Sequence, residues 1–422
     1  MKKIRRRKRH ILNIMLTFWL TLAGVILVGT AGILVYRVVV GQEDAEEFSP
    51  LKFTEVVSHI FTEKIPEEKE AEALGESGSG GGRYGEVLSD EEYMKDHNIY
   101  AKQTASEEEV TISFGGDILF DPNYSVMAKL LQRGNGIYDS IGAELLEEMK
   151  SADILMLNNE FPYSDKGTPI PEKQFTFRAK PESVSLLGDM GVDIVSLANN
   201  HAYDYGEAAL LDTLDILTEA GMPYVGAGRN LEEAAKPVYF IANDIKIAIV
   251  SATQIERLDN PDTKGATDVS AGVFRCLHPD KLLEVIRETK ENSDFVIVYI
   301  HWGTENVEQP DWLQLDQAPK IVEAGADLII GGHPHCLQPI QYIDGVPVVY
   351  SLGNFWFNSK QVDTCLVKAA IDENGLKSLQ FIPALQKDSK TVLLEGGEKE
   401  RVLSYMRAIS PGVNFDSDGY IN

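Results

Sequence analysis

Three runs in this chain set imidazole or carboxamide groups directly after an apolar segment: Gly331-Gly332-His333-Pro334-His335, His301-Trp302-Gly303 and Asn199-Asn200-His201. In an extended backbone His333 and His335 point to the same side, and Pro334 stiffens that geometry, which makes the two imidazoles a chelating pair. Asp117, after Gly115-Gly116, and Glu160, after Asn158-Asn159, supply anionic oxygens, and a carboxylate can bridge two ions. Imidazole with carboxylate suits manganese, iron or zinc better than calcium, so the expected cofactor is one or two such divalent ions. Asn200 offers a neutral carbonyl ligand, and His201 beside it is placed to act as a general acid. A single histidine is more often a satisfied core or surface residue. Four of the eight histidines here follow apolar strands in one pattern, which favours a shared site.

The elements that must position these groups are short β-branched blocks. Residues 110–114, 154–157, 193–197, 295–300 and 326–330 each read as a buried strand and each runs into one of the polar groups. In open α/β sheets, ligands bind beyond the carboxyl ends of the strands. Helical patterns at 125–132, 142–150, 181–190, 207–220 and 278–291 alternate with the strands, so the fold class is α/β. After Phe355 the pattern turns to hairpins, with 367–371 and 376–382 joined by Asp372-Glu373-Asn374-Gly375, and a helical patch follows at 399–409.

The formal charge is −26, and seven basic residues lie in the first nine positions, so the rest of the chain is near −33. Such an acidic body excludes nucleic acid as a partner, because phosphate binding needs clustered Lys and Arg. Arg178, Lys180 and Arg229 are the basic residues near the motif loops. Cys276, Cys336 and Cys365 do not form a disulfide framework. The basic run (1–10) precedes Ile11 to Tyr36, which carries no charged side chain. As a helix that segment spans about 39 Å against a hydrocarbon core of about 30 Å, and it is too long for the apolar region of a signal peptide. It is expected to be an uncleaved transmembrane anchor with a cytoplasmic amino terminus and an extracytoplasmic remainder at the cell membrane. Residues 37–109, acidic and then glycine-rich, read as a flexible tether, and 110–422 as the ectodomain, β-rich from about 360.

Gly116-Asp117, Asn159-Glu160, Leu197-Ala198-Asn199-Asn200-His201 with Asp204 and Gly206, His301-Trp302-Gly303 with Glu305, Gly332-His333-Pro334-His335 with Gln338, and Tyr350-Ser351-Leu352-Gly353-Asn354-Phe355 occur in an order that resembles the CapA family of capsule and poly-γ-glutamate synthesis proteins. That family looks like a branch of the calcineurin-like metallophosphoesterases. The resemblance implies a four-layer α/β/β/α sandwich with a two-metal site. Carried over by motif, it implies metal contacts from Asp117, Glu160, Asn200, His301, His333 and His335, His201 as the acid, and Arg178, Asn199, Trp302, Glu305 and Asn354 towards substrate. Where the wider superfamily has a second ligand in its first motif this chain has Leu119, which cannot ligate. Two functions follow as expectations: a membrane-anchored metal-dependent hydrolase, or a non-catalytic component that holds the polymer. In both, the partners are an anionic polymer such as poly-γ-glutamate and integral membrane proteins of a synthesis complex.

Overall fold

Alternation along single strands decides the layers of this molecule. In Phe295–His301 the odd residues Phe295, Ile297 and Tyr299 join one apolar cluster, while the even residues Val296, Val298 and Ile300 join another. Ile154–Asn159 behaves alike: Ile154 and Met156 enter the shared cluster, and Leu155 and Leu157 face the opposite way. The shared cluster takes residues from two sheets, which therefore pack face to face. Each fully buried Ile or Phe in it contributes roughly 1.5–3 kcal/mol.

A computed structural model describes residues 82–256 and 263–421. The expected basic tail, membrane helix and first part of the tether lie outside the described residues. Among the described residues no helix is long and apolar enough to cross a membrane.

One sheet has seven strands in the order Ile99–Ala101, Val238–Ala242, Ile245–Thr253, Phe295–His301, Leu328–Gly332, Val346–Val349 and Ile340–Ile343. Its three central members run parallel. The other has nine, and its parallel half is Val110–Ile118, Ile154–Asn159, Ile194–Ser196 and Tyr224–Val225. Its antiparallel half is the long hairpin Val362–Asp372 with Gly375–Lys387, extended by Lys390–Leu393.

Helices cover both outer faces. Glu207–Glu219 presents Ala209, Leu210, Thr213, Leu214 and Leu217, one helical stripe, to the nine-stranded sheet. Asp280–Glu291 and Trp312–Ala324 cover the seven-stranded sheet. The helical patterns read from the sequence did not include Trp312–Ala324, which carries Pro319 inside it. The helix forms nonetheless: Asp311 and Gln314 make a capping box, and Gly325 ends it at φ 117°.

One boundary needs correction. The tether expected to reach residue 109 ends earlier, since Gly85–Leu88 and Glu91–Asp96 are helical and Ile99–Ala101 pairs in parallel with Val238–Ala242. Local partners hold this stretch: the Arg83 and Tyr84 amides donate to Asp244, and the Tyr84 hydroxyl donates to Asp294 at 2.8 Å. The glycine-rich composition that suggests a tether stops at Gly82, ahead of these contacts.

Candidate functional site

The alternation that builds the core also aims the site residues. His301 continues the odd series of its strand and emerges at the carboxyl-terminal edge between the two sheets. Asn158 continues the even series 154, 156 in the same way. Val110–Ile118 reaches that edge with the opposite parity, and a bulge corrects it: Phe114 lies opposite Met156 but Asp117 opposite Asn158, so three steps on one strand match two on the other. Gly115 and Gly116 make the bulge possible. A Cβ on Gly116 would lie 1.8 Å from the Gly353 carbonyl oxygen, and one on Gly115 would lie 2.5 Å from Leu157. The Gly115 carbonyl accepts from the Tyr299 hydroxyl of the facing sheet at 3.1 Å.

Asp117, Glu160, Asn200, His201, His301, His333 and His335 come together here. The Asn200 side-chain oxygen is 2.9 Å from His301 Nε2, and His333 Nδ1 is 3.1 Å from that same nitrogen. Glu160 Oε1 lies 3.5 Å from His301 Nε2 and 3.9 Å from His201 Nε2. Asp117 accepts from Asn158 Nδ2 at 2.7 Å on one oxygen and faces His335 Nδ1 at 3.2 Å with the other. Glu160, His333 and His335 have ligand atoms within 4.8 Å of one another. The extended backbone expected for His333 and His335 is corrected: their φ values are 94° and 58°, so left-handed turns, costly for residues with a Cβ, bring the rings together.

Electrostatics follows from burial. Burial pushes the Glu160 carboxyl well above its ordinary range, and the charges of Asp117 and Glu305 push it further. Burial also acts upward on Asp117, but the hydrogen bond and charge of His335 outweigh it and hold that carboxyl below the usual value. His301 is pushed down to about 3 by burial, which Asp117 opposes and His335 reinforces. His333 is held well below its ordinary value by burial and by His301. Both Glu160 oxygens are buried without a hydrogen-bond partner. A buried carboxylate with neither oxygen satisfied is expensive, and a divalent cation ringed by imidazoles relieves that cost. The donor set and the two orphaned oxygens therefore fit a transition-metal ion.

His201 has a support of its own. Its Nδ1 is 2.7 Å from Asp204 Oδ2, and the Phe177 ring lies 4.2 Å from the imidazole. Lys173 Nζ donates to Asp204 Oδ1 at 2.6 Å and to the Asn200 carbonyl, and both members of this ion pair are buried. Burial holds the His201 pKa below its ordinary value, with the charges of Lys173 and His335 adding to it and Asp204 opposing. With Nδ1 turned to Asp204, the nitrogen free to exchange a proton is Nε2.

The residues expected to face substrate have partners of their own in the fold. Trp302, the even position just past the strand Phe295–His301, points into the outer helical layer and donates its Nε1–H to the Tyr350 carbonyl at 2.9 Å. Asn199 is consumed by the scaffold: its amide donates to Asn158 and to the Asn159 carbonyl, and its oxygen caps the His201 N–H, each at 3.0 Å. Arg178 lays its guanidinium over the Tyr205 ring at 4.2 Å. Arg229 and Lys180 pair with Asp215 and Asp165 on the surface. Asn354 is 3% exposed and faces His335. Glu305 stands exposed in the loop after His301, which is tied down by the Asn306 N–H to the Pro334 carbonyl at 2.8 Å and by Gln338 Nε2 to the Val307 carbonyl at 2.8 Å. Leu119 is fully buried in the apolar layer beneath the helices.

The sequence reading missed Asn158 and Lys173. Strand parity, once Leu155 and Leu157 are placed outward, was a signal for Asn158. Lys173 lies in an irregular loop that no periodicity marks.

The family described as "Bacterial capsule synthesis protein PGA_cap" matches residues 111–359. The chain is 32% identical to the PGA biosynthesis protein CapA of Bacillus subtilis (strain 168) over 67% of this chain and 73% of that protein. It is 31% identical to the capsule biosynthesis protein CapA of Bacillus anthracis over 70% and 72% of the two chains. Among solved structures it is similar to a 5'-nucleotidase from Candida albicans SC5314, with a TM-score of 0.35, 12% identity, and coverage of 65% of this chain and 54% of that one.

Proposed function

This chain belongs to the PGA_cap family of bacterial capsule synthesis proteins, and we propose that it is a membrane-anchored accessory of poly-γ-glutamate capsule synthesis that hydrolyses a bond of the polymer or of a precursor. One observation carries the catalytic part: the buried Glu160 carboxylate, unpartnered on both oxygens and ringed by His201, His301 and His333. Glu160, His333 and His335, with Asn200, His301 and Asp117 beside them, would hold a manganese, iron or zinc ion. Such an ion supplies Lewis-acid polarisation and an activated water.

The chain's own residues account for the remaining steps. Asp204 keeps Nδ1–H of His201 in place, so Nε2 would take a proton from the attacking water and give it to the leaving atom, with the carboxylate balancing the imidazolium between the two transfers. Lys173 holds Asp204 and the Asn200 carbonyl together, which keeps the proton carrier and a ligand in fixed relation. Phe177 covers one face of the imidazole and keeps water from it.

A second reading, a polymer-holding component without turnover, draws on Leu119, an apolar residue where the wider superfamily has a ligand. Metal analysis of the full-length protein, with phosphodiester and γ-glutamyl amide hydrolysis assays, separates the two. The hydrolase reading expects bound transition metal and turnover that falls by about 10²–10⁴-fold in His201→Ala at unchanged metal content. A protein that binds metal and the polymer but hydrolyses neither bond supports the second reading.

The membrane part of the proposal rests on Ile11 to Tyr36 and the basic residues before it. Protease added to intact spheroplasts should release a soluble fragment that contains the site and leave the anchor behind. A mature protein that begins after Gly29 would refute it.

A further inference from the structure

Asn354 lies where two sets of constraints meet. The short strand Asn354–Trp356 runs parallel to Val110–Ile118 with Asn354 opposite Asp117, so both side chains reach the same point at the edge of the sandwich. That point is one nitrogen of His335: Asn354 Oδ1 lies 2.8 Å from Nδ1 and Asp117 Oδ2 lies 3.2 Å from it. A carboxylate oxygen only accepts, so Nδ1 carries the hydrogen, and the Asn354 amide must then present its oxygen. The proton on Nδ1 leaves Nε2 as the lone pair of the ring.

The backbone does not fix this ring by itself. His335 sits at φ 58°, a sparsely populated conformation for a residue with a Cβ, on a loop rather than inside a strand. Phe357 packs beside the imidazole at 5.1 Å between centroids, and this contact restrains the plane of the ring without deciding which nitrogen faces the site. Asn354, buried against the strand that carries Asp117, makes that decision with it.

We propose that Asn354 is a positioning residue for the metal site: with Asp117 it holds His335 as the Nδ1–H tautomer, so that Nε2 is the nitrogen offered to the ion. Imidazole ligands that donate their second nitrogen to a fixed acceptor gain basicity and orientation, and loss of the acceptor commonly costs about 10–100-fold in metal affinity. The inference rests on the metal-binding reading above and assigns Asn354 a role exerted through His335.

The test is a Co²⁺ titration of the full-length protein followed by visible absorption, with Asn354→Leu and Asn354→Asp beside the wild type. The leucine removes the Asn354 acceptor while keeping the branched side-chain skeleton and leaves Asp117 in place; the aspartate keeps that acceptor. Asn354→Leu should bind Co²⁺ about 10–100-fold more weakly and shift the d–d bands, while Asn354→Asp keeps the wild-type affinity and spectrum. Wild-type behaviour in Asn354→Leu, or equal weakening in both variants, overturns the proposal and leaves the metal reading standing. A wild type that takes up no Co²⁺ removes that reading and this inference together. Should Asn354→Leu fail to fold, long-range ¹⁵N NMR of the histidines in the Zn²⁺-loaded wild type decides: an Nδ1–H tautomer at His335 supports the role, and an Nε2–H tautomer refutes it.

Discussion

Glu160→Gln tests the central physical claim, because it removes charge from a buried group while keeping its shape. In the metal-free protein both carboxylate oxygens lack a donor, and burial with the Asp117 and Glu305 charges raises the carboxyl well above its ordinary range. The sign follows from linkage. The folded state holds this proton more tightly than the unfolded chain, so the metal-free form gains stability below the unfolded value of about 4.3 and loses it as pH rises towards the folded value. The loss runs at up to about 1.4 kcal/mol per pH unit across that window. A neutral amide carries no such dependence, so the Glu160→Gln variant should match the wild type near pH 4.5 and exceed it at pH 7, by at most about 3.5 kcal/mol if that slope holds across the whole window. Urea unfolding in EDTA across that pH range reads the difference. With Mn²⁺ at a hundredfold excess over its dissociation constant the order should reverse, since the wild type gains about 2.7 kcal/mol and the variant, short of its anionic ligand, gains little. A Glu160→Gln variant less stable than the wild type in EDTA at pH 7, or one stabilised by Mn²⁺ as much as the wild type, would refute the reasoning.

Lys173→Met should destabilise the protein by about 3–5 kcal/mol in urea unfolding, because it strands the buried Asp204 carboxylate, and adding Asp204→Asn should recover part of the loss. Gly116→Ala should cost about 3 kcal/mol or more and lower metal content, since its Cβ meets the backbone oxygen of Gly353 and the bulge that aims Asp117 must open. Trp302→Phe should leave any hydrolysis and its KM unchanged while lowering stability, because Trp302 packs in the outer layer and its indole N–H serves only the Tyr350 carbonyl; a rise in KM alone would restore it as a substrate contact.

Much of the architecture was legible from residue types. The apolar blocks ending in Asp117, Glu160, Asn200, His301 and His333 lie at the carboxyl ends of strands in two sheets, and the hairpin after Phe355 forms where Asn374-Gly375 turns the chain. These features depend on local periodicity and turn chemistry, which a sequence carries openly. The helix Trp312–Ala324 was not among the patterns read, and it forms around Pro319 on a capping box and a buried face that tertiary packing rewards.

The sequence by itself determined the candidate ligand types, their order and the acidic character of the body. Tertiary structure decided which of them meet. Parity along Phe295–His301 turns His301 inward and Trp302 outward, a distinction that requires knowing which face of the sheet meets the other sheet. The Gly115-Gly116 bulge flips one strand so that Asp117 stands beside Asn158 and Asn354, and the register of a bulge exists only between paired strands. Lys173 joins the site from a loop 31 residues before Asp204, brought there by the charge it neutralises in a buried space that water does not reach.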